Sequence, residues 1–564
     1  MLLSNLNLLA TAPGGVARLR ELILTLAVQG KLVPQDPKDE PASELLKKIR
    51  AEKDRLIAEG KIKRDKPLAA IAEEEKPFAL PSGWEWVRLA TISEFTNGFA
   101  FPSAEFSSDA TGVGIVKIGD IQNGVVSVAG MSYVSQRYAS SVDDAFRVEP
   151  GDMLIAMSGA TTGKLGFNRQ SQSFLLNQRV GKIALYLVHQ AYVHQYLTTK
   201  IAENLSISAG SAIPNLSTVQ IKEIAFPLPP LAEQTRIVTR VEELMRLCDA
   251  LEAKGQLETT QHAQLVSTLL STLTESETPA QLTENWYRIA THFDLLLVRP
   301  QAVDALEQTI LQLAVRGLLV PQDPQDEPAS KLLKKIRAEK DKLIAEGKIK
   351  RDKPMPPIAE EEQPFTLPQG WGWVRFDELT HPLKPIAYGV LVPGPDLETG
   401  VSFVRIADLS LTNPPSKPEK SIGAEVDAQF PRTRLEGGEI LMGVVGSIGK
   451  LGIAPSTWAG ANIARAICRI VPADTGLSEY VLLLLQTEFM QCSFAGDTRT
   501  LAQPTLNIGL IRQALTPIPP PAEQSRIVTR VAQLRRLCAD LRQRLSASQS
   551  TQAHLAEALV ENVA

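Results

Sequence analysis

The chain is written twice. Residues 34–67 read PQDPKDEPASELLKKIRAEKDRLIAEGKIKRDKP, and residues 321–354 read PQDPQDEPASKLLKKIRAEKDKLIAEGKIKRDKP. Only Lys38/Gln325, Glu44/Lys331 and Arg55/Lys342 differ across these 34 positions. A second pair, AEQTRIVTRV at 232–241 and AEQSRIVTRV at 522–531, lies 290 residues apart, against 287 for the first. Two blocks repeated in the same order at nearly one spacing mean a tandem duplication, and both copies must adopt the same fold.

Between the matching blocks the copies have drifted. Residues 78–228 and 365–518 share only a skeleton: Leu80-Pro81-Ser82-Gly83-Trp84-Glu85-Trp86-Val87 against Leu367-Pro368-Gln369-Gly370-Trp371-Gly372-Trp373-Val374, Val116-Lys117-Ile118-Gly119-Asp120-Ile121 against Val404-Arg405-Ile406-Ala407-Asp408-Leu409, and Gly163-Lys164-Leu165-Gly166 against Gly449-Lys450-Leu451-Gly452. Two domains of one fold with different surfaces are thus held in near-identical frames.

The frame is helical. Val16, Leu19, Leu22, Ile23 and Leu26 form a stripe of helical period that ends at Gly30, and Val303, Leu306, Ile310 and Leu313 repeat it before Gly317. A second helix is expected over 43–60, with Ser43 as N-cap and Gly60 as the stop. After each variable domain a proline-rich hinge (Pro227, Pro229, Pro230; Pro517, Pro519, Pro520, Pro521) ends the preceding strand. Heptads follow: Ile237, Val241, Leu244, Cys248 and Leu251 step by four and three, as do Ile527, Val531, Leu534, Cys538, Leu541 and Leu545. Such a spacing requires a partner along one seam, and the simplest partner is the other copy. The variable domains, with short apolar runs such as 114–118 and 153–157 between Gly/Ser/Asn/Thr loops, read as mixed β-rich modules.

At 564 residues the chain is long enough for about three or four domains. Four cysteines (Cys248, Cys468, Cys492, Cys538) form no CxxC pair, which argues against zinc and disulfide frameworks. No apolar run approaches membrane-spanning length, and the first residues lack the basic region of a signal peptide, so a cytoplasmic location is expected. The net charge is −4. Residues 78–228 hold 10 basic and 11 acidic side chains, and 365–518 hold 12 and 14, so any nucleic-acid contacts must be few and local or shared with a basic partner.

No catalytic constellation emerges. Asn413-Pro414-Pro415-Ser416 approaches the box with which adenine methyltransferases hold a flipped base, but Ser416 stands where an aromatic would stack. Gly159-Ala160-Thr161-Thr162-Gly163-Lys164 is one residue short of a nucleotide-binding loop, and Leu165 replaces the magnesium-binding hydroxyl. That segment and its counterpart Gly446-Ser447-Ile448-Gly449-Lys450 are either phosphate cradles built of backbone N–H groups or tight turns. Six histidines do not cluster with carboxylates at metal-ligand spacing. The Lys47-Lys48-Ile49-Arg50 and Lys61-Ile62-Lys63-Arg64 clusters are interleaved with Glu52, Asp54, Glu59 and Asp65, which favours a solvated helix face.

The blocks LAVQGKLVPQDP (26–37) and LAVRGLLVPQDP (313–324), LPSGWEWVRL from Leu80, PLPPLAEQTRIV from Pro227 and PIPPPAEQSRIV from Pro517 resemble the specificity (S) subunit of type I restriction–modification systems, over essentially the whole chain. The resemblance implies an α+β fold: two mixed β-rich target-recognition domains joined by two long antiparallel coiled-coil helices, an internal tandem repeat with pseudo-two-fold symmetry. The implied parts are an N-terminal helical frame (1–77), a first target-recognition domain (78–228), a central frame with the first long helix (229–364), a second target-recognition domain (365–518) and a C-terminal long helix (519–564). The alternative is a coiled-coil scaffold whose twin domains bind proteins.

For that family each domain reads half of a bipartite target in the major groove of double-stranded DNA, and the helices set the spacer. The subunit is not catalytic and holds no cofactor. It recruits two modification subunits, which bind S-adenosylmethionine and methylate adenine N6, and then restriction subunits. Placing the loop residues near the shared skeleton on DNA selects Lys117, Thr161, Thr162, Lys164, Gln178, Arg179, Ser211 and Asn215 in the first domain. In the second it selects Arg405, Ser447, Lys450, Arg465, Arg499, Thr500 and Gln503. Arg and Gln suit base edges, whereas Lys, Ser and Thr suit phosphates. Asn177-Gln178-Arg179 has only a loose counterpart around Arg465, so the two domains are expected to use different side chains there.

Overall fold

A computed structural model describes residues 6–64, 67–122, 124–207, 216–276, 278–351, 355–495 and 505–561. The chain forms two compact units, residues 1–257 with 549–564 and residues 258–548.

In the first unit the 3.6-residue stripe forms helix α1 (Gly15–Val28), which buries Leu19, Leu22, Ile23, Ala27 and Val28. It ends as its glycine predicts. Gly30 has φ +67, the Gly30 N–H reaches Ala27 O and the Lys31 N–H reaches Leu26 O, which closes a Schellman cap. The glycine has a second duty, because a Cβ on Gly30 would lie 2.5 Å from Pro81 Cγ and 2.9 Å from Trp84. The helix end thus sits directly against the LPSGW segment that leads into the variable domain. Helix α2 (Ala42–Ala58) starts one residue before the expected cap: Pro41 takes the N-cap position and Ser43 falls inside the first turn. A side-chain cap is replaced by a tertiary one, since the Ala42 N–H donates to Gly83 O at 2.8 Å. Its exposed face carries Lys47–Glu44, Lys48–Glu40 and Arg55–Glu52 pairs, a solvated surface as expected.

The variable domain is closed at its base by an antiparallel pair, Glu85–Arg88 with Ala225–Leu228. Pro227 lies within this edge pair, opposite Trp86, rather than only in the hinge beyond it, a position that a two-stranded ribbon tolerates. Above the base stand a six-stranded and a four-stranded sheet, and the domain also holds helix α3 (Gln190–Ile207). Val113–Val116 and Phe174–Leu176 pair in parallel across some sixty residues of chain, a long-range contact that no local pattern announces. Between the sheets pack Val116, Ile121, Val126, Leu154, Phe174, Leu176 and Val180.

The second unit repeats the plan. Helix α6 (Pro300–Val315) ends at Gly317, where an added Cβ would meet Pro368 and Trp371. Helix α7 (Ala329–Ala345) starts with the Ala329 N–H on Gly370 O, and Gly372–Arg375 pairs with Leu515–Ile518. Its variable domain holds a four-stranded and a three-stranded sheet among the described residues. Helix α5 (Pro279–Thr291), between the copies, carries the exposed aromatics Trp286 and Tyr287.

The heptads lie on the long helices α4 (Leu231–Thr274) and α8 (Pro521–Glu561), and their surroundings include an element that the spacing does not announce. In the first unit Ile237, Val241 and Cys248 are buried in one cluster with Leu19, Leu22 and Ile23 of α1, and Leu244 and Leu251 pack against it. Arg20 of α1 bonds Asp249 at 2.7 Å and Glu252 at 2.9 Å. In the second unit Ile527, Val531 and Cys538 share a cluster with Val303, Leu306 and Ile310, flanked by Leu534 and Leu541, and Arg542 bonds Asp304 and Glu307. The short frame helix of its own copy is therefore among the partners of each seam. That helix carries an apolar stripe of its own, and burying the two stripes together satisfies both.

Candidate nucleic-acid interface

Strand registers bring a set of loops together at one end of the first domain's six-stranded sheet. Asn97 pairs with Gly181, Ala156 with Val180 and Ile155 with Leu165. Segments 98–99, 157–164 and 177–179 therefore leave the sheet on the same side. Backbone bonds tie them: Asn177 N–H to Val116 O (3.2 Å), Gln178 N–H to Phe99 O (2.9 Å) and Met157 N–H to Arg179 O (3.0 Å). Leu216 joins through its N–H on Met157 O at 2.8 Å. Segment 117–120 joins through Thr161, whose hydroxyl donates to Ile118 O at 2.9 Å.

The second domain reproduces this weave bond for bond. Ala464 N–H reaches Val404 O (2.9 Å), Arg465 N–H reaches Val390 O (2.9 Å), Val444 N–H reaches Ala466 O and Leu506 N–H reaches Val444 O (both 2.8 Å). The match fixes a register that the sequences left loose: Gln178 corresponds to Arg465, and Arg179 to Ala466. Each weave depends on a glycine outside the shared motifs. A Cβ on Gly98 would lie 2.0 Å from Asn177 O, and one on Gly389 would lie 1.9 Å from Ile463 O. The sequence signal is a glycine flanked by larger residues in both copies, Asn97-Gly98-Phe99 and Tyr388-Gly389-Val390, each between a tryptophan motif and the next shared motif.

The selected side chains divide into two groups. Lys117 donates to Ser132 Oγ at 2.7 Å and lies 4.0 Å from the Phe106 ring centroid. Arg405 pairs with Glu419 at 2.7 Å, Thr162 donates to Gly159 O, and Lys450 Nζ donates to Ile406 O at 2.8 Å. Ile406 O corresponds to Ile118 O, so one carbonyl is held by Thr161 in the first domain and by Lys450 in the second. That exchange leaves Lys164, the counterpart of Lys450, without a side-chain partner among the described residues. Exposed Gln178, Arg179, Ser447 and Arg465 are in the same condition. Ser211, Asn215, Arg499, Thr500 and Gln503 lie outside the described residues.

The two glycine-rich segments are tight turns. The N–H groups of Thr162, Gly163 and Lys164 bond Gly159 O, Ala156 O and Thr161 O, and those of Ser447, Gly449 and Lys450 are likewise spent on backbone carbonyls, so these six groups are not offered to a phosphate. Asp120 accepts the Lys117 N–H at 2.8 Å, and burial raises its carboxyl above the usual range despite that bond and the lysine charge. Pro415 O accepts from Trp458 Nε1, which ties the irregular 413–416 segment to a buried side chain of the domain. Cys248 and Cys538 are buried in the seams, where desolvation raises both thiols, as core packing requires. Among the described residues no group of three His, Cys, Asp or Glu side chains is placed to hold a metal, and no helix is long and apolar enough to cross a membrane.

Comparison with known proteins adds to this geometry. Residues 81–261 match the family model described as type I restriction modification DNA specificity domain. The chain is 35% identical to the type I restriction enzyme EcoAI specificity subunit of Escherichia coli, over 97% of this chain and 93% of that protein. It is 34% identical to the EcoEI specificity subunit of the same species, with the same coverage. A crystal structure of the HsdS subunit from Thermoanaerobacter tengcongensis aligns with 86% of this chain and 98% of its own, at 18% identity and a TM-score of 0.37.

Proposed function

The chain belongs to the family of type I restriction–modification specificity subunits, which serve sequence-specific DNA recognition, and from that premise we propose that its two variable domains read two different halves of one bipartite target. The observation that carries the proposal is the shared loop weave. One backbone arrangement recurs in both domains, while the free side chains it presents differ: Lys164, Gln178 and Arg179 in one, Ser447 and Arg465 in the other. A symmetric pair of readers would meet a palindromic site; a matched pair with unlike side chains meets an asymmetric one.

The target-recognition domains are 78–228 and 365–518, a division supported by the strand pairs that close each at its base. Helices α4 and α8 are antiparallel struts that set the gap between the halves. In support, Ala556 and Val560 near the end of α8 belong to the cluster around the start of α4, and Val266, Leu270 and Leu273 near the end of α4 belong to the cluster around the start of α8. The subunit itself carries out no chemistry. It assembles in the cytoplasm with two modification subunits, in which S-adenosylmethionine supplies the methyl group for adenine N6, and with restriction subunits.

The test is to co-express the chain with its modification subunit and map methylated adenines across the host genome. The expected result is one motif of two unlike halves separated by a constant gap. A palindromic motif would contradict the two-reader proposal. No duplex preference in the presence of the modification subunit would favour the protein-binding scaffold instead.

A further inference from the structure

Gln178 and Arg465 stand at one register position in two domains that have otherwise drifted apart. The backbone of each is pinned on both sides. The preceding N–H bonds Val116 O or Val404 O, and its own N–H bonds Phe99 O or Val390 O. The strand that follows is locked by Val180 pairing with Ala156 in one domain and Ile467 with Gly443 in the other. Both side chains are exposed and have no partner among the described residues, whereas the nearby Lys117, Arg405 and Lys450 are engaged within the protein. A contact that discriminates bases needs this combination, a rigid mount and an uncommitted polar head.

We propose that this position reads one base pair in each half of the target, with Gln178 selecting adenine and Arg465 selecting guanine. The inference rests on the DNA-reading function proposed above. The carboxamide of Gln178 offers one donor and one acceptor in a plane, which complements adenine N7 and N6 in the major groove. The guanidinium of Arg465 offers two parallel donors, which complements guanine O6 and N7 and finds no such pair of acceptors on adenine. Because the two residues share a register, the base pairs they read lie at the same step of their half-sites, counted from the mount. Lys164 and Ser447, on the adjacent loop, contact phosphate and carry no sequence preference.

The experiment reconstitutes the complex with the modification subunit and measures methylation of a duplex library randomised across both halves. The variants are Gln178→Ala, Arg465→Ala and the exchanges Gln178→Arg and Arg465→Gln, with Lys164→Ala as a phosphate control. For Arg465→Ala the expected result is about a tenfold or greater loss of preference at a single G·C position of one half, with the other half and the gap unchanged. Gln178→Ala should do the same at one A·T position of the other half, and Gln178→Arg should move that preference toward guanine. Lys164→Ala should weaken methylation evenly over all sequences. The inference is overturned if Gln178→Ala or Arg465→Ala weakens all sequences evenly, or if neither changes the motif. If the unsubstituted complex yields no motif of two unlike halves, the proposed function falls with it; an intact motif that ignores these substitutions removes only the assignment of this position.

Discussion

Gly30 and Gly60 both end frame helices in the left-handed region, at φ +67 and +70, yet they face different surroundings. An added Cβ on Gly30 meets Pro81 and Trp84, while one on Gly60 meets nothing within 4 Å. Gly60→Ala should therefore cost about 1 kcal/mol from conformation alone, and Gly30→Ala about 1–3 kcal/mol more because the clash adds to it. Denaturant unfolding of the two variants checks this, and equal losses would remove the packing role. Trp84 also donates to Glu233 Oε2 at 2.9 Å, and Gln35 donates to Oε1 at 2.8 Å; Trp371 holds Glu523 in the same way. Burial raises both carboxyls above the ordinary glutamate value of 4.5, against the hydrogen bonds and the nearby Arg236 and Arg526. A carboxyl whose folded value is raised binds its proton more tightly in the folded chain. Its stabilisation is complete below about 4.5 and is lost as pH rises through the folded value. The double variant Glu233→Gln, Glu523→Gln gives up an acceptor at each site but stays neutral, so its stability should fall less steeply than the parent's as pH rises from 4.5. Parallel curves in denaturant titrations over that range would contradict the assignment.

At the scale of elements, each heptad seam shares its core with a short helix of its own copy and with the end of the other long helix. Ile237 is fully buried in the cluster that includes α1, so Ile237→Ala should cost about 2–5 kcal/mol. Arg20→Ala, which removes ion pairs to largely exposed Asp249 and Glu252, should cost at most about 1 kcal/mol. Thermal or denaturant unfolding separates the two, and a dominant effect of Arg20 would mean that the seam is held by charge. The helices of the frame were legible because their stripes and terminal glycines act locally, over one or two turns. Their capping and partners were less so. Ser43 looked like a cap because a capping hydroxyl is a local signal, whereas the bond that starts α2 comes from Gly83, some forty residues away. The heptads announced a seam but not its occupant, since spacing specifies a groove and says nothing of which apolar stripe fills it. The β-rich character of the variable domains was visible in their short apolar runs. Their sheet order was not, because pairs such as Ile115 with Leu175 depend on contacts far apart in sequence. At the candidate interface the skeleton motifs point to loops that the structure brings together, but spacing alone could not show that Lys117, Arg405 and Lys450 are engaged inside the protein while Gln178 and Arg465 have no partner among the described residues.

The molecule as a whole carries its logic in the contrast between copies. Where the chain must do the same thing twice, as in the frame, the copies agree nearly residue for residue; where it presents side chains outward from the loop weave, they part. On the proposed function, the duplicated frame supplies two mounting points and the divergence supplies two specificities. The measurement that tests this most directly is an exchange: residues 78–228 are replaced by the corresponding domain of another specificity subunit, and methylated adenines are mapped in cells that express the chimera with the modification subunit. The account predicts a motif in which one half changes while the other half and the gap stay as they were. A motif in which both halves change together would contradict it.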